Sequence, residues 1–261
     1  MILDDIARAT KIRVEKAKAL VPPGQMKEQA LQCGNSSDFR FEKALKKDSM
    51  AFICEVKKAS PSKGVIAEDF PYLAIAEEYE AAGADAISVL TEPDFFQGSN
   101  DYLSQIRQTV KIPILRKDFT IDEYQIYEAK VLGADAVLLI CALLDADTVK
   151  RYLSVCDRLG LSALVESHTR DEAESALRAG ARVVGVNNRN LKTFEVDLNT
   201  CTGLRTLVPE NILYVAESGI RTARDVALLR QENVNAVLIG ETLMRSKDKK
   251  AELCRLSGGT V

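Results

Sequence analysis

Apolar and polar positions follow two rhythms along this chain. From about residue 50 onward, short continuous apolar runs recur, each bounded by charged or turn-forming residues and followed by apolar positions at helical spacing. Such runs suit strands buried on both faces. They predict strands over 51–57, 85–90, 112–116, 135–140, 162–166, 182–187, 212–217 and 235–239. Helical patterns lie between them, over 72–82, 101–109, 122–131, 145–158, 170–179, 200–207 and 222–231, with a last one near 247–256. Eight strands alternating with eight helices imply a parallel α/β sheet, of the size that closes into a (β/α)8 TIM barrel.

An internal repeat supports closure. Ala81-Ala82-Gly83-Ala84-Asp85-Ala86 returns as Val131-Leu132-Gly133-Ala134-Asp135-Ala136, more weakly as Arg178 to Val183, and more weakly still as Glu232 to Val237. Each copy reads as a helix end, a residue suited to the left-handed position after it, and a strand start. No Gly-x-Gly-x-x-Gly follows the first strand, which removes the main support for a dinucleotide-binding sheet.

Residues 1–50 read as a helical N-terminal extension of a single barrel domain spanning 1–261, with no linker to divide it. Ile2, Ile6, Ala9, Ile12 or Arg13, Ala17 and Leu20 fall at helical spacing, and Pro22, Pro23 and Gly24 end that helix. Residues 26–32 allow another turn or two. Asp38 is a candidate cap for a short helix carrying Phe39, Phe41, Ala44 and Leu45. An apolar helix face must pack on something. The extension is therefore expected to dock near the barrel mouth beside the loop after Lys57, and a barrel lacking residues 1–45 is expected to fold.

The chain has 261 residues, 46% hydrophobic and 28% charged, with a net charge of −3, which fits a globular enzyme and argues against a nucleic-acid binder. No apolar run approaches the roughly 20 residues needed to span a bilayer, so no membrane partner is expected. The first residues lack the pattern of a signal peptide. Six scattered cysteines without a Cys-x-x-Cys pair read as free thiols of a cytoplasmic protein. His168 is the chain's one histidine, and no ligand cluster surrounds it in the sequence, so no metal site is expected. Without a visible partner, it reads as structural or surface-exposed.

Chemistry concentrates at the strand ends. In the first strand Ile53, Glu55 and Lys57 share one face, and Phe52, Cys54 and Val56 the other. Charges are costly under the outer helices but tolerable inside the barrel near its open top. The same reading puts Lys117 after strand three, Glu166 at the end of strand five, Asn187 at the end of six and Glu217 at the end of seven. Six polar groups at equivalent positions point to an active site. Ser218-Gly219 after strand seven and Gly240-Glu241 after strand eight stand where barrels bind phosphate, glycine allowing close backbone approach. The loop 58–71, with Ser60 and Lys63, reads as a binding loop or a plain surface loop. Phe96 and Phe119 would be odd on a rim unless they pack on a ligand or the extension.

The motifs Glu55-Val56-Lys57-Lys58-Ala59-Ser60-Pro61-Ser62-Lys63-Gly64, Leu115-Arg116-Lys117-Asp118-Phe119, Gly185-Val186-Asn187-Asn188-Arg189-Asn190-Leu191 and Ala216-Glu217-Ser218-Gly219-Ile220 resemble those of the indole-3-glycerol-phosphate synthase family. So do Leu164-Val165-Glu166, Leu90-Thr91-Glu92 with Phe95-Phe96-Gln97-Gly98, and Ile239-Gly240-Glu241. The resemblance runs from about residue 2 to residue 250. Ser167 stands where the family more often has valine, and Glu241 is a variant beside serine.

The resemblance implies a phosphorylated substrate, 1-(2-carboxyphenylamino)-1-deoxyribulose 5-phosphate, and the products indole-3-glycerol phosphate, CO₂ and water, with no metal or organic cofactor. Lys117 would protonate the ketone as the ring closes. Lys57 and Glu166 are alternative acids for the dehydration, and Glu55 is a candidate base. Glu217 would orient and charge-balance a lysine. Asn187 and Arg189 would bind hydroxyls or carboxylate. Ser60, Ser218, Gly219, Gly240 and Glu241 would hold phosphate and neighbouring polar groups, with Phe96, Phe119 and Leu191 walling the ring. A Schiff-base aldolase using Lys117 or Lys57 and a non-catalytic binder of a phosphorylated metabolite remain as other readings. The sequence leaves protein partners unspecified and allows a monomer.

Overall fold

The structure, a computed structural model, describes residues 2–34 and 38–259. Eight parallel strands close into a barrel: β1 (Ala51–Val56), β2 (Ala86–Leu90), β3 (Ile114–Lys117), β4 (Ala136–Ile140), β5 (Ser162–Ser167), β6 (Val183–Asn187), β7 (Leu213–Glu217) and β8 (Ala236–Ile239). Each pairs with its sequence neighbours, and β8 closes the ring on β1 through the register Ala51↔Ala236 to Cys54↔Ile239. The eight predicted strands are all present, shifted at their ends by a residue or two.

β3 begins at Ile114 rather than 112. Proline lacks a backbone donor, so Pro113 cannot extend the ladder on that side, and the Ile112 amide donates instead to Glu80 Oε1 at 3.0 Å. Lys117 is the last residue of β3 itself.

Alternation along the strands sorts the core into two layers. Ile53, Ala86, Leu115, Ala136, Leu138, Leu164, Val215 and Leu238 fill the barrel interior. Phe52, Cys54, Val56, Val89, Val137 and Val237 face the surrounding helices. Three elements were not signalled by periodicity: a small antiparallel pairing of Ala59–Ser60 with Gly64–Val65, a one-turn helix Pro93–Phe96, and the helix Glu241–Arg245.

The repeat has a structural meaning at the N-terminal end of the barrel. Gly83, Gly133 and Gly180 take φ values of +90°, +89° and +90°, and Asn233 takes +55° in the fourth copy. The polar residue two places on braces the preceding strand in three of the four copies. Asp85 accepts the Phe52 amide at 2.8 Å, Asp135 that of Ile114 at 2.9 Å, and Asn235 that of Tyr214 at 2.8 Å.

The extension forms α1 (Ile2–Leu20), α2 (Pro23–Gln32) and α3 (Arg40–Leu45); its residues 1 and 35–37 lie outside the described ones. The buried stripe of α1 is Leu3, Ile6, Thr10 and Val14, whereas Ile12 and Leu20 of the predicted stripe are exposed. A polar anchor shifts it: Arg13 donates to Asp118 at 2.7 Å and to the Thr91 carbonyl at 3.3 Å. α2 starts earlier than 26 because Pro23, with φ preset for a first turn, opens it.

α3 departs further from expectation. Its N-cap is Phe39 in a left-handed conformation, not Asp38, which pairs with Lys43. The turn places the Phe39 ring against the Arg182 guanidinium, 4.5 Å from its centroid. Phe41 and Leu45 are fully buried within the interior cluster. The extension therefore serves both ends of the barrel, with α1 at the mouth and α3 sealing the floor. Removing residues 1–45 would take Phe41 and Leu45 out of the interior cluster. Among the described residues, no helix is long and apolar enough to cross a membrane.

Candidate active site

One cavity opens at the C-terminal ends of the strands. It is lined by Glu55, Lys57, Lys117, Glu166, Asn187 and Glu217, and by Ser60, Arg189, Ser218, Gly219, Gly240, Glu241, Phe96, Phe119 and Leu191. All the residues singled out from sequence thus meet in one place. Each of the six polar groups sits at or next to a strand's last residue, where side chains on the inward face turn into the mouth.

Lys117 is the centre of the charge arrangement. Its Nζ lies 2.9 Å from Glu166 Oε2 and 3.3 Å from Glu217 Oε2. Burial alone would lower its pKa, but the negative charges of Glu166, Glu217 and Glu55 outweigh that and hold the ammonium above the ordinary lysine range.

The two glutamates differ. Burial favours the neutral acid in both. Glu166 is nevertheless pulled down to about 2 by Lys117 and His168, with hydrogen bonds from Lys117 and from Asn187 Nδ2 at 3.3 Å. Glu217 is pushed up to about 8 by burial and by the charge of Glu166, against the pull of Lys117. Its Oε1 is buried without a hydrogen-bond partner. Geometry and charge agree that Glu166 is the carboxylate and that Glu217 holds a proton below its pKa.

Glycines make room for this cluster. A Cβ on Gly185 would sit 2.4 Å from Glu217 Oε1 and 3.0 Å from Leu164 Cδ1. The bare backbone of β6 is what lets Glu217 reach Lys117 from β7. On the opposite wall Lys57 Nζ lies 2.5 Å from Glu55 Oε1. A Cβ on Gly240 would meet that oxygen at 2.3 Å and the Lys57 nitrogen at 2.9 Å. The need for glycine at 240 therefore comes from this ion pair as well as from any ligand.

At the rim, Glu241 turns its carboxylate to Arg245 at 3.2 Å and to Lys63 at 3.6 Å. Ser218 and Gly219 both take left-handed φ values, +65° and +83°. Asn188 ties them to the preceding loop by donating to the Glu217 and Ser218 carbonyls at 3.0 and 3.1 Å. Arg189 donates to the Phe194 carbonyl at 3.0 Å. The loop 58–71 is folded rather than loose, the Lys58 carbonyl accepting the Ile66 amide at 2.8 Å.

The Phe96 and Phe119 rings stand 5.8 Å apart, tilted by 38°, and form an apolar wall. Glu92 positions Phe96 by accepting the amides of Asp94, Phe95 and Phe96. Sequence reasoning missed Leu138 and Ile140 at the cavity base and Leu3 on its side, while Ile2 and Ile6, from the helix face expected to dock near the mouth, line that side. Leu138 and Ile140 were findable as the inward set of β4. His168 is also not the unpartnered residue expected. It stands behind Glu166, outside the cavity lining, between two glutamates.

The model of a protein family described as indole-3-glycerol phosphate synthase matches residues 3–256. The chain belongs to the indole-3-glycerol phosphate synthase family. Proteins bearing that name are similar along its whole length. One from Ruminiclostridium cellulolyticum is 62% identical over 258 residues, covering 99% of each chain. Another from Endomicrobium trichonymphae is 57% identical, covering 94% of this chain and 95% of its own. Among solved structures, 3-hexulose-6-phosphate synthase from Salmonella typhimurium superimposes with a TM-score of 0.66 at 12% identity, covering 80% of this chain and 97% of that one. That likeness shows the barrel fold alone. The synthase family's motifs, quoted above from sequence, are the segments that line the cavity.

Proposed function

We infer that this chain is a carboxy-lyase of tryptophan biosynthesis that closes the ring of 1-(2-carboxyphenylamino)-1-deoxyribulose 5-phosphate, with loss of CO₂ and water, to give indole-3-glycerol phosphate. The observation that carries the chemical reading is the buried Lys117 ammonium between Glu166 and Glu217 on the inward face of the barrel mouth.

Ring closure needs an acid beside the ketone oxygen as the aromatic carbon attacks it. Lys117 is held in the protonated state for that role, and growing negative charge on the oxygen makes transfer easier. Glu166 stays anionic and balances the ammonium. This disfavours Glu166 as the acid of the later dehydration and leaves Lys57, paired with Glu55, to protonate the departing hydroxyl while Glu55 accepts the ring proton. Glu217 orients Lys117. Asn187 and Arg189 bind the substrate's hydroxyls or carboxylate. Phe96, Phe119 and Leu191 enclose the aromatic ring. Ser60 and the backbone of Ser218, Gly219, Gly240 and Glu241 hold the phosphate, with the Glu241 carboxylate kept aside by Arg245 and Lys63. The steps are formation of the ring's carbon–carbon bond with protonation of the ketone oxygen, loss of CO₂, and loss of water with removal of the ring proton. In this reading the chain works as one domain in the cytoplasm, on a small anionic substrate, without nucleic acid or membrane.

A Schiff-base aldolase needs a neutral lysine, and three carboxylates around Lys117 oppose that. Incubation with the proposed substrate should generate indole fluorescence, and borohydride with a ketose phosphate should trap no adduct. A folded protein that forms no indole product would overturn the assignment.

A further inference from the structure

His168 lies behind Glu166, outside the cavity lining. Its Nδ1 is 3.3 Å from Glu172 Oε2, and the same oxygen accepts the His168 backbone amide at 2.7 Å. Its Nε2 is buried, makes no hydrogen bond, and points to Glu166 Oε1 at 3.5 Å. Glu166 in turn holds Lys117 through its other oxygen.

The order Glu172, His168, Glu166, Lys117 alternates anion and cation only if the imidazole is charged. A carboxylate accepts and does not donate, so Glu172 selects the tautomer with a proton on Nδ1. A neutral ring of that tautomer would aim the Nε2 lone pair at the Glu166 carboxylate, an anion facing a lone pair in a buried setting. An imidazolium presents an N–H there instead. A buried polar atom without a partner calls for an explanation, and this one is explained by a 3.5 Å gap that a small tightening of the loaded site would close.

We propose that His168 is a positioning residue for the reaction: as an imidazolium anchored by Glu172, it braces Glu166 and decides that Glu166, not Glu217, is the anion that serves Lys117. The proposal rests on the reading of Lys117 and Glu166 given above. Glu166 and Glu217 both reach Lys117, and what distinguishes them is the number of donors each has. Glu166 accepts from Lys117 and Asn187 and faces the His168 ring at 3.5 Å; Glu217 has Lys117. Removing the imidazolium narrows that difference, so the proton moves between the two glutamates and Lys117 loses its fixed partner. The charged groups around the ring are Glu166 on β5, Glu172 on the helix Arg170–Ala179 and Glu217 on β7, and Cys141 after β4 lies near Glu166 and Glu172. Burial lowers the affinity of the ring for a proton, but the carboxylates overcome it and hold His168 above the ordinary histidine value.

Because the chain has one histidine, its imidazole can be read directly. In protein carrying ¹⁵N-labelled histidine, NMR at pH 7 should show both ring nitrogens protonated, and the titration midpoint should drop on Glu166→Gln. This readout needs no activity, so it separates failure of the inference from failure of the functional reading. His168→Leu should lower kcat by about tenfold to a hundredfold, the range expected when a catalytic group is misplaced by about an ångström, with KM within about twofold. The alkaline limb that His168 deprotonation gives the kcat profile should vanish, and His168→Gln, which keeps a donor, should restore part of the rate. A neutral ring with Nε2 unprotonated at pH 7, or His168→Leu with unchanged kcat and pH profile in an active preparation, would overturn the proposal.

Discussion

At the N-terminal end of the barrel, Asp85, Asp135 and Asn235 each accept a backbone amide, and the charges around them are matched. Lys47 pairs with Asp85 at 2.6 Å, Arg107 with Asp135 at 3.0 Å, and Arg182 with Glu42 and Asp157 at 2.9 and 2.8 Å. At the C-terminal end, two lysines face three glutamates, Glu217 Oε1 has no partner, and His168 Nε2 has none. Both ends carry ionic groups on the same strands. The floor satisfies every brace it uses, as a region selected for holding the strands together. The mouth leaves buried groups under-satisfied, and such groups have shifted proton affinities that chemistry can draw on. Ionic character alone does not separate a structural cluster from a catalytic one; the balance of charge around the buried ionisable groups differs between the two ends.

The contrast is broken most directly at its centre. Lys117→Ala should reduce kcat by about 10² to 10⁴, the usual worth of a general acid, while circular dichroism stays native; near-normal turnover in that variant would remove Lys117 from the mechanism. The floor should respond in the opposite sense. Phe41→Ala empties a fully buried site in the interior cluster, so stability to urea should fall by about 3–5 kcal/mol while kcat per folded molecule is kept. A chain lacking residues 1–45 should fail to fold, and a native-like, cooperative unfolding transition in it would show that α3 is dispensable.

A third variant tests whether space, rather than charge, sets up the mouth. Gly185→Ala places a methyl group against Glu217 Oε1, the movable end of a side chain. The fold should tolerate it, whereas kcat should fall by about tenfold to a hundredfold as Glu217 is pushed from Lys117. Equal kcat in the two proteins would mean that Glu217 has no part in orienting the lysine.

The smallest effect is on stability against pH. Glu217 has a folded-state pKa raised to about 8 from an ordinary value of 4.5. A raised pKa means that its protonated form stabilises the fold, fully below the ordinary value and progressively less as pH climbs to about 8. Glu166, at about 2, acts oppositely: its contribution is present above the ordinary value and fades as pH falls toward 2. Thermal unfolding from pH 5 to 8 should therefore show a downward slope in the parent protein that is flatter in Glu217→Gln. Parallel slopes would argue that Glu217 is ionised throughout.

Local sequence determined the order and type of nearly all the elements. Their apolar runs and helical stripes are contiguous in the chain, and the Gly83, Gly133, Gly180 and Asn233 turns are demanded by backbone sterics within a few residues. Alternation in β1 was enough to put Glu55 inside and Cys54 outside, and the polar residues at strand ends marked the mouth. Tertiary structure alone decided the rest, because each remaining feature depends on distance between segments remote in sequence. The shifted stripe of α1 follows from Arg13 meeting Asp118 across 105 positions. Phe41 became core because α3 reaches under the barrel. Gly185 became necessary only once Glu217 leaned over it from the next strand. His168 gained its meaning from Glu172 four residues on and Glu166 two residues back, brought to either side of one ring by the turn from strand to helix. Proton affinities of buried groups are sums over such neighbours, and residue spacing along a chain does not contain those sums.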